Sequence, residues 1–507
     1  METFGAEFFA TTLALVGAVI VMAALLSGFI ERSGVPQVAI FLALGAALGP
    51  WGLGLMDVTL DSPILQVVAT LSLVLVLFTD AVSLDIKEVR EHGRLALLVL
   101  GPGTMVSAAL MALAGWKILG LSLAAAAMLG AALASTDPVL LRGLMRRRDL
   151  SGAVRQALRM ESGMNDAVLL PVVIVAMALL SRGASAEPGH WVRLGLELFL
   201  LGPGAGVIVG LVAVGALDLV RRRIGVRRDY ESIYSLGVAF AAYAAAEAVH
   251  GSGFLAAFTA GLTISALDLE LCDCFLEYGE TTAEMALLFT FVLFGSSLIW
   301  SGFGLVSGAT ILFALVVLAV RPLALAVSLW PTRLDRRSRW LIAWFGPRGL
   351  SSLLLILLPV FAGLPGSEPL FQICCLVVLI SIVLHGGSLM LLGRAEVHAP
   401  AGAPAAAVLA AAAASSGAAA APVAAAAEVE ALAAPGASEA ERITVDELRR
   451  LQAAGEPVVV LDARTERAYE SSDLLAAGAI RLDPDQAVRR ATALGLPKQA
   501  WLVAFCL

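Results

Sequence analysis

Four ionisable residues lie well inside long apolar stretches of this sequence, where a charge is costly: Asp137, Glu161, Asp166 and Arg348. Charged side chains at such depth in a membrane usually pair with one another or mark the path of an ion or a proton. If all four are ionised, three negative charges face one positive charge, and this net charge of −2 should attract a cation or a proton. Hard oxygen ligands of this kind suit Na⁺, K⁺ or Li⁺ better than soft transition metals.

Asp137 lies in the segment Ala134-Ser-Thr-Asp-Pro-Val139, toward the end of an apolar run. Pro138 removes a backbone donor, and an aspartate before it suits the N-cap of a helix that begins with proline. One interpretation is only a helix start or a kink. The other is a helix broken inside the membrane, whose free carbonyl groups and carboxylate bind a cation. Thr136 would then add a carbonyl or hydroxyl oxygen.

A second segment, Glu161-Ser-Gly-Met-Asn-Asp166, carries two acids on one predicted helix. At about 100° per residue, Ser162 and Asp166 share one face, and Glu161 and Asn165 share another. The two carboxylates therefore point about 140° apart. This separation predicts two different roles, with one carboxylate facing an ion path and the other facing a neighbouring helix.

Arg348 lies in Gly346-Pro-Arg-Gly349, within another apolar run. A guanidinium left unpaired in lipid would be costly, whereas pairing with a carboxylate makes it a structural tie. We expect Glu161 to be the partner of Arg348. Other charged residues lie near predicted span ends, where we expect them to reach the interface or to pair structurally: Lys117, Arg321, Asp80.

Membrane helices must position these residues. The chain has 507 residues, of which 59% are hydrophobic and 15% are charged, and its mean hydropathy is +0.89. Soluble domains are about half apolar and a quarter charged, so the composition predicts an all-α polytopic membrane protein. The formal charge of −7 argues against a nucleic-acid partner, which needs a basic face. Thirteen apolar runs approach the ~20 residues that a spanning helix needs: 8–30, 35–55, 63–82, 95–115, 119–141, 156–181, 193–218, 230–248, 252–268, 284–300, 303–330, 339–361 and 368–392.

The loops between these thirteen runs alternate in charge. Basic residues cluster in the third, fifth, seventh and eleventh loops, whereas the second, eighth, tenth and twelfth loops carry none. Because positively charged loops remain in the cytoplasm, we expect the N-terminus outside and the C-terminus inside.

The composition changes abruptly after Arg394. We predict a transmembrane domain over residues 1–394, an alanine- and proline-rich linker over 395–440, and a small α/β segment over 441–507. In the last segment, Thr444 with Glu447 suggests a capped helix. Pro457–Asp462 and Trp501–Leu507 suggest buried strands of a parallel sheet.

Residues 8–392 resemble bacterial NhaP-type Na⁺/H⁺ antiporters of the monovalent cation:proton antiporter 1 family. The motifs that carry the resemblance keep their order and spacing over nearly four hundred residues: Ser135-Thr-Asp-Pro-Val139, Glu161-Ser-Gly-Met-Asn-Asp166, Gly346-Pro-Arg-Gly349, and more weakly Gly251-Ser-Gly-Phe-Leu-Ala256, Phe294-Gly-Ser-Ser-Leu298, Arg321-Pro322 and Ser381-Ile-Val-Leu-His-Gly386.

This resemblance implies a fold, a site and a mechanism. The expected fold has thirteen helices in inverted repeats with broken crossing helices, and it forms a homodimer in the bacterial inner membrane that works by alternating access. Asp166 and Asp137 would bind the transported Na⁺ (or K⁺ or Li⁺) and H⁺. Ser162 and the carbonyl of Thr136 would complete the ion shell, and Glu161 would pair with Arg348. Asn165 is similar to the residue of the electroneutral branch. No cofactor is expected beyond the transported ions.

The C-terminal segment resembles the first half of a rhodanese domain, in Val458-Val-Val-Leu-Asp-Ala-Arg464, Tyr469 and Gly478-Ala-Ile480. Cys506 stands where that family places its persulfide-forming cysteine, and a cysteine between a strand end and a helix start can be reactive. Because the resemblance covers half a domain, we expect no independent sulfur transfer from it. An alternative function is a membrane-tethered sulfurtransferase or redox sensor that regulates the transporter.

Two histidines, His250 and His385, invite a role in pH sensing because imidazole titrates near neutrality. Both stand next to glycines at predicted helix ends. We therefore favour an interfacial or structural role for them.

Overall fold

The structure is a computed structural model of the whole chain. The residues that it describes are 17, 20–22, 25, 36–84, 93–145, 152–182, 188–223, 228–267, 273–332, 334–397, 448–451, 456–464, 469, 478–482 and 501–505. The chain divides into two compact units, residues 1–398 and residues 399–507.

The described part of the first unit is mostly helical. Its helices are α1 (Gln37–Leu48), α2 (Pro63–Ser83), α3 (Gly93–Leu98), α4 (Val106–Leu119), α5 (Leu123–Ala134), α6 (Pro138–Met145), α7 (Gly152–Arg182), α8 (Pro188–Leu196), α9 (Gly202–Arg223), α10 (Arg228–Ala248), α11 (Gly253–Ala266), α12 (Asp273–Ser296), α13 (Gly308–Ser328), α14 (Arg336–Trp344), α15 (Leu350–Phe361) and α16 (Ser367–Val397). Short π-helical segments, Val99–Met105 and Glu197–Leu201, join α3 to α4 and α8 to α9, and a 3₁₀ segment, Leu298–Leu305, follows α12.

Seven helices in the described ranges are long and apolar enough to cross a membrane, or eight if the bent pair at Gly279–Ser296 and Leu298–Leu305 is one span. The multi-pass membrane protein expected from the composition is therefore confirmed. The count of thirteen spans stays a prediction, because several helices are shorter than a full crossing and the run 8–30 lies mostly outside the described residues.

Two of the predicted spans are each divided into two α-helices by a non-helical segment. The run 119–141 is divided into α5 and α6 by a non-helical segment at residues 135–137, and the run 339–361 is divided into α14 and α15 at residues 345–349. Pro138 and Pro347 lie at these breaks, and proline cannot donate the hydrogen bond that would continue the helix. The chain thus places two pairs of half-helix ends in the interior of the bundle.

Small residues let the helices approach closely around these breaks. Gly130 of α5 packs against the backbone of α4, because a Cβ at this position would lie only 2.6 Å from the backbone nitrogen of Ala112. Close backbone contact through small residues is the usual packing of membrane helices. One hydrophobic core runs through most of the helices, and a second, smaller one is formed mainly by residues of α6, α7, α13 and α14.

The second unit contains a three-stranded parallel sheet in the order β2-β1-β3, formed by β1 (Val458–Asp462), β2 (Ile480–Arg481) and β3 (Trp501–Phe505). At the end of β1 the Arg464 guanidinium hydrogen-bonds to Asp462 at 2.6 Å and holds the pKa of that carboxyl below its usual range. A parallel sheet agrees with the predicted α/β segment, while the rhodanese resemblance stays a prediction.

Several expectations for the tail lie outside the described residues. They concern residues 398–440 of the linker, the Thr444–Glu447 helix cap and the thiol of Cys506, on which the sulfur-transfer alternative depends. Helix α16 continues to Val397, three residues past the predicted boundary.

Candidate ion site

The two helix breaks meet at Asp137. Its backbone N–H donates to the carbonyl of Pro347 at 3.0 Å, which joins one break to the other. Its carboxylate accepts the N–H of Val139 at 2.8 Å and the N–H of Leu350 at 2.7 Å. These donors belong to the first turns of α6 and α15, whose N–H groups have no partner within their own helices. The positive ends of two half-helices therefore converge on one buried carboxylate.

Arg348 hydrogen-bonds to the C-terminal end of α5, the helix that precedes the first break. Its Nη1 donates to the carbonyls of Ala134 and Ser135, at 2.9 and 3.0 Å, where α5 ends. The Ser352 hydroxyl donates to the same Ser135 carbonyl at 3.3 Å. A guanidinium is favourable at the negative end of a helix, and here it satisfies carbonyls that the break has left unpaired.

The predicted pair of Glu161 with Arg348 is wrong, because Glu161 pairs with Arg321 instead. The Arg321 Nη2 lies 2.6 Å from Oε2 of Glu161, and its Nε lies 3.1 Å from Oε1. The other side of the same guanidinium donates to the carbonyl of Ala343 at 2.7 Å, at the end of α14. The orphan carbonyls of α5 hold Arg348, which leaves Arg321 of α13 as the cation that neutralises Glu161.

Asp166 lies on α7 and is 2% exposed. One carboxylate oxygen, Oδ1, accepts the hydroxyl of Ser135, and the Ser351 hydroxyl lies beside the same carboxyl group. The other oxygen, Oδ2, is buried and has no hydrogen-bond partner in the described part of the chain. A buried acceptor without a partner is costly, so this oxygen is available to a proton or a cation.

Asn165 has a similar arrangement. Its side-chain NH₂ donates to the Thr136 hydroxyl at 2.6 Å, whereas its side-chain oxygen is buried and accepts no hydrogen bond from any described residue. Two adjacent residues of α7 thus offer unpartnered oxygen atoms, and both contact the break at residues 135–137 through their other polar atom.

The structure brings most of the predicted site residues together. Asp137, Thr136, Asn165 and Asp166 surround the first break, and Ser162 lies one turn before Asp166, where its hydroxyl donates to the Arg159 carbonyl at 3.3 Å. The opposite orientation of Glu161 and Asp166 on α7 agrees with the 140° separation. Sequence reasoning missed the roles of three residues: Ser135, Ser351 and Arg321. Serines beside an interrupted helix are a usable signal, but no sequence spacing indicates the contact of Arg321.

The charge of this cluster also differs from the prediction. Three buried carboxylates, Asp137, Glu161 and Asp166, face two buried guanidiniums, Arg321 and Arg348. With all of them ionised the cluster carries a net charge of −1 rather than −2. One bound proton or one monovalent cation would neutralise it.

The chain is similar to a described family and to several known proteins. Residues 18–395 match the family described as "Sodium/hydrogen exchanger, transmembrane". The K(+)/H(+) antiporter NhaP2 of Shewanella sp. (strain ANA-3) is 28% identical over 401 residues, which cover 76% of this chain and 67% of the relative. The K(+)/H(+) antiporter NhaP of Alkalimonas amylolytica is 26% identical over 393 residues, covering 76% of this chain and 66% of the relative.

A solved structure has the same fold. The sodium proton antiporter MjNhaP1 from Methanocaldococcus jannaschii superposes with a TM-score of 0.62 at 19% identity, covering 75% of this chain and 100% of that chain. The matched family spans most of the sequence and includes both helix breaks and α7. The chain therefore belongs to the sodium/hydrogen exchanger family and is a membrane antiporter of the NhaP type.

Proposed function

We propose that this protein exchanges a monovalent cation for a proton across the membrane, and that Asp166 carries both in turn. The observation that carries this proposal is the buried Oδ2 of Asp166, an acceptor without a partner in the described residues. It belongs to a cluster with one net negative charge, which a single proton or a single monovalent cation completes. Competition between the two for one carboxylate is sufficient for exchange.

The neighbouring residues shape the site for a small cation. Asp137 adds negative charge and is oriented by the N–H groups of two half-helices, so it needs no rearrangement when an ion arrives. Ser162, the carbonyl of Thr136 and the side-chain oxygen of Asn165 supply neutral oxygen ligands. Hard oxygen ligands without sulfur or imidazole suit alkali cations.

Na⁺, K⁺ and Li⁺ all fit this ligand chemistry, because they differ in size and not in preferred donor atom. The relatives named above are described as K(+)/H(+) antiporters and the solved structure as a sodium proton antiporter. We propose Na⁺ as the transported ion, with K⁺ and Li⁺ as its competitors in the same assay.

The proposal also covers the charge balance of the cycle, the membrane in which the protein lies, and its orientation there. One cation exchanged for one proton makes the cycle electroneutral, and alternating access would carry the loaded site across the membrane. We place the protein in the bacterial inner membrane as a homodimer, as its resemblance to NhaP-type antiporters implies. The N-terminus would lie outside and the C-terminus in the cytoplasm, because the basic loops alternate along the sequence.

The decisive experiment is cation-dependent proton flux in proteoliposomes, with each cation tested in turn. Asp166→Asn removes the titrating group but keeps the shape of the side chain, so we expect the protein to insert normally and to lose exchange. Asp61→Asn is the matched control, since Asp61 lies on an exposed turn, and it should retain the wild-type rate. Full exchange by the Asp166→Asn protein would overturn the assignment of the site.

A further inference from the structure

A buried hydrogen-bond network joins α16 to the break at residues 345–349. The backbone N–H of Arg348 donates to the hydroxyl of Ser381 at 2.7 Å. The same hydroxyl lies 3.0 Å from Nδ1 of His385, one turn further along α16. All three residues are at most 3% exposed. The break therefore has a polar contact to a continuous helix as well as its contacts to Asp137.

The donor fixes the direction of the first hydrogen bond, and the tautomer of His385 fixes the direction of the second. The backbone N–H of Arg348 can only donate, so the Ser381 oxygen accepts it. Nδ1 of His385 lies 3.0 Å from the Ser381 hydroxyl and 3.1 Å from the Ser381 carbonyl, and the tautomer decides which of the two it bonds to. We assign the imidazole proton to Nε2, so that Nδ1 accepts the hydroxyl proton of Ser381. His385 is thus an acceptor that orients Ser381.

A second contact ties the other side of the break to the same face of α16. The indole N–H of Trp344, the last residue of α14, donates to the Ser388 hydroxyl at 3.2 Å. The Trp344 and His385 rings lie 5.5 Å apart. Ser381, His385 and Ser388 follow one another at the i, i+4, i+7 spacing of a single helix face. This face of α16 contacts both the end of α14 and the residue two positions before α15.

We propose that Ser381 and His385 are positioning residues of the ion site, an inference that rests on the exchange proposed above. Ser381 fixes the backbone at Arg348, and two residues later Leu350 presents its N–H to Asp137 at 2.7 Å. His385 fixes the hydroxyl of Ser381. Through these links α16 sets where the positive end of α15 meets the Asp137 carboxylate, and thereby sets the affinity of the site for its cation.

Loss of this network should change cation affinity more than turnover. Without the Ser381 hydroxyl, the buried N–H of Arg348 has no acceptor, and the segment must shift or leave the donor unpaired. Such a shift moves the N–H of Leu350 relative to the Asp137 carboxylate. This movement weakens the binding of the cation in the loaded state. We expect the apparent KM for the cation to rise about tenfold, the factor that one lost hydrogen bond produces, with a maximal rate within about twofold of wild type.

The test compares Ser381→Ala, Ser381→Thr and His385→Leu in proteoliposomes with the wild-type chain. Ser381→Ala and His385→Leu should both raise KM, and Ser381→Thr should restore it because threonine keeps the hydroxyl. The double variant Ser381→Ala with His385→Leu should be no worse than the poorer single variant, since the two residues act as one unit. Ser367→Ala is the matched control: this serine is also buried on α16, but its hydroxyl bonds to Leu364 far from the break.

A second measurement reports binding without transport. Cation binding raises the thermal stability of the purified protein, and the midpoint of that rise should shift to about tenfold higher cation concentration in Ser381→Ala. A wild-type KM and midpoint in Ser381→Ala, or no recovery with Ser381→Thr, overturns the inference. If Ser381→Ala does not fold, His385→Leu alone tests the inference, through its apparent KM and its stabilisation midpoint. Failure of the proposed function is distinguishable, because the wild-type protein itself would then show no cation-dependent flux.

Discussion

The Asp137 carboxylate accepts a hydrogen bond from the backbone N–H of Leu350 at 2.7 Å, although the two residues are 213 positions apart in the sequence. The other oxygen of the same carboxylate accepts the N–H of Val139. One side chain thus caps the N-terminal ends of two half-helices from distant parts of the chain. Both ends would otherwise present unsatisfied donors in the interior of the bundle, where water cannot replace the lost partner.

This contact separates the tasks of the two aspartates. Both oxygens of Asp137 are held by backbone donors, whereas Oδ2 of Asp166 has no partner in the described part of the chain. A carboxylate held by backbone N–H groups is stabilised in its charged form. Asp137 therefore suits a fixed negative charge beside the ion, and Asp166 suits the group that alternates between proton and cation.

The first prediction concerns Gly349, which allows the close approach of Asp137. A Cβ added at this glycine would overlap the Asp137 carboxylate. We expect Gly349→Ala to displace that carboxylate and to raise the apparent KM for the cation about tenfold or more, with a stability loss of about 1–3 kcal/mol from overpacking. Proteoliposome flux and thermal unfolding measure the two effects.

Gly308→Ala is the control for this prediction, because Gly308 begins α13 with open space where the Cβ would stand. It should change neither quantity. An unchanged KM in a well-folded Gly349→Ala protein would mean that the position of the Asp137 carboxylate does not govern cation affinity.

The second prediction concerns the buried pair of Glu161 and Arg321, whose side chains are each 4% exposed. Glu161→Gln leaves a guanidinium buried without its counter-ion, which should cost about 3–5 kcal/mol of folding free energy. The double variant Glu161→Gln with Arg321→Met removes both charges and should recover part of this loss. Thermal unfolding in detergent provides the comparison.

The surface pair of Arg193 with Glu197 serves as the reference for this experiment, since Arg193 is 68% exposed. Glu197→Gln should change stability by less than about 1 kcal/mol, the usual worth of an exposed ion pair. Equal losses at the buried and the exposed pair would show that Glu161 does not hold Arg321 in the folded protein.

The sequence predicted the helical, multi-pass architecture, because long apolar runs report directly on membrane helices. The break at residues 135–137 was one of two interpretations of Asp137-Pro138, and the structure contains it. Hydropathy alone missed the second break, since the run 339–361 is apolar on both sides of residues 345–349 and has the length of a single span. The sequence does contain a signal for this break, namely the helix-breaking residues Gly346, Pro347 and Gly349.

The partners of the charged residues were harder to predict. Arg321 and Arg348 both lie in apolar runs, and sequence spacing does not say which guanidinium reaches Glu161. The structure resolves this through the carbonyls of Ala134 and Ser135, which exist as free acceptors only because α5 ends there. Side-chain pairing across helices depends on such backbone ends, which appear only once the fold is formed.

The third prediction is the pH dependence of cation affinity. If a proton and a cation compete for Asp166, then protonation at low pH removes the ligand and raises the apparent KM, by up to about tenfold for each pH unit below the pKa of that carboxyl. Above that pKa the KM should be constant. The maximal rate at saturating cation should change less, because excess cation displaces the proton.

Initial rates at several cation concentrations, repeated across pH, give the measurement. Asp61→Asn again provides a control with one fewer carboxylate outside the site, and its profile should follow that of the wild type. A constant KM with a falling maximal rate would contradict competition and would indicate proton control at a group other than the cation ligand.

The fourth prediction is electroneutrality, which follows from the charge of the cluster. Three carboxylates and two guanidiniums leave one negative charge, and either one proton or one monovalent cation cancels it. The loaded site is then neutral in both directions of the cycle. Moving one uncompensated charge would instead cost or gain about 2.3 kcal/mol per 100 mV, which corresponds to a change of about fiftyfold in the rate or equilibrium of that step.

A thiocyanate gradient imposes such a voltage on proteoliposomes without adding a competing cation, and it should leave the exchange rate unchanged. Asn165→Asp adds a second acid beside Asp166 and raises the cluster to two negative charges, so exchange in that variant should respond to the imposed voltage. Voltage-sensitive exchange in the wild-type protein would show that the cluster does not carry the single net charge assigned to it, because one proton or one cation could then no longer neutralise the moving site.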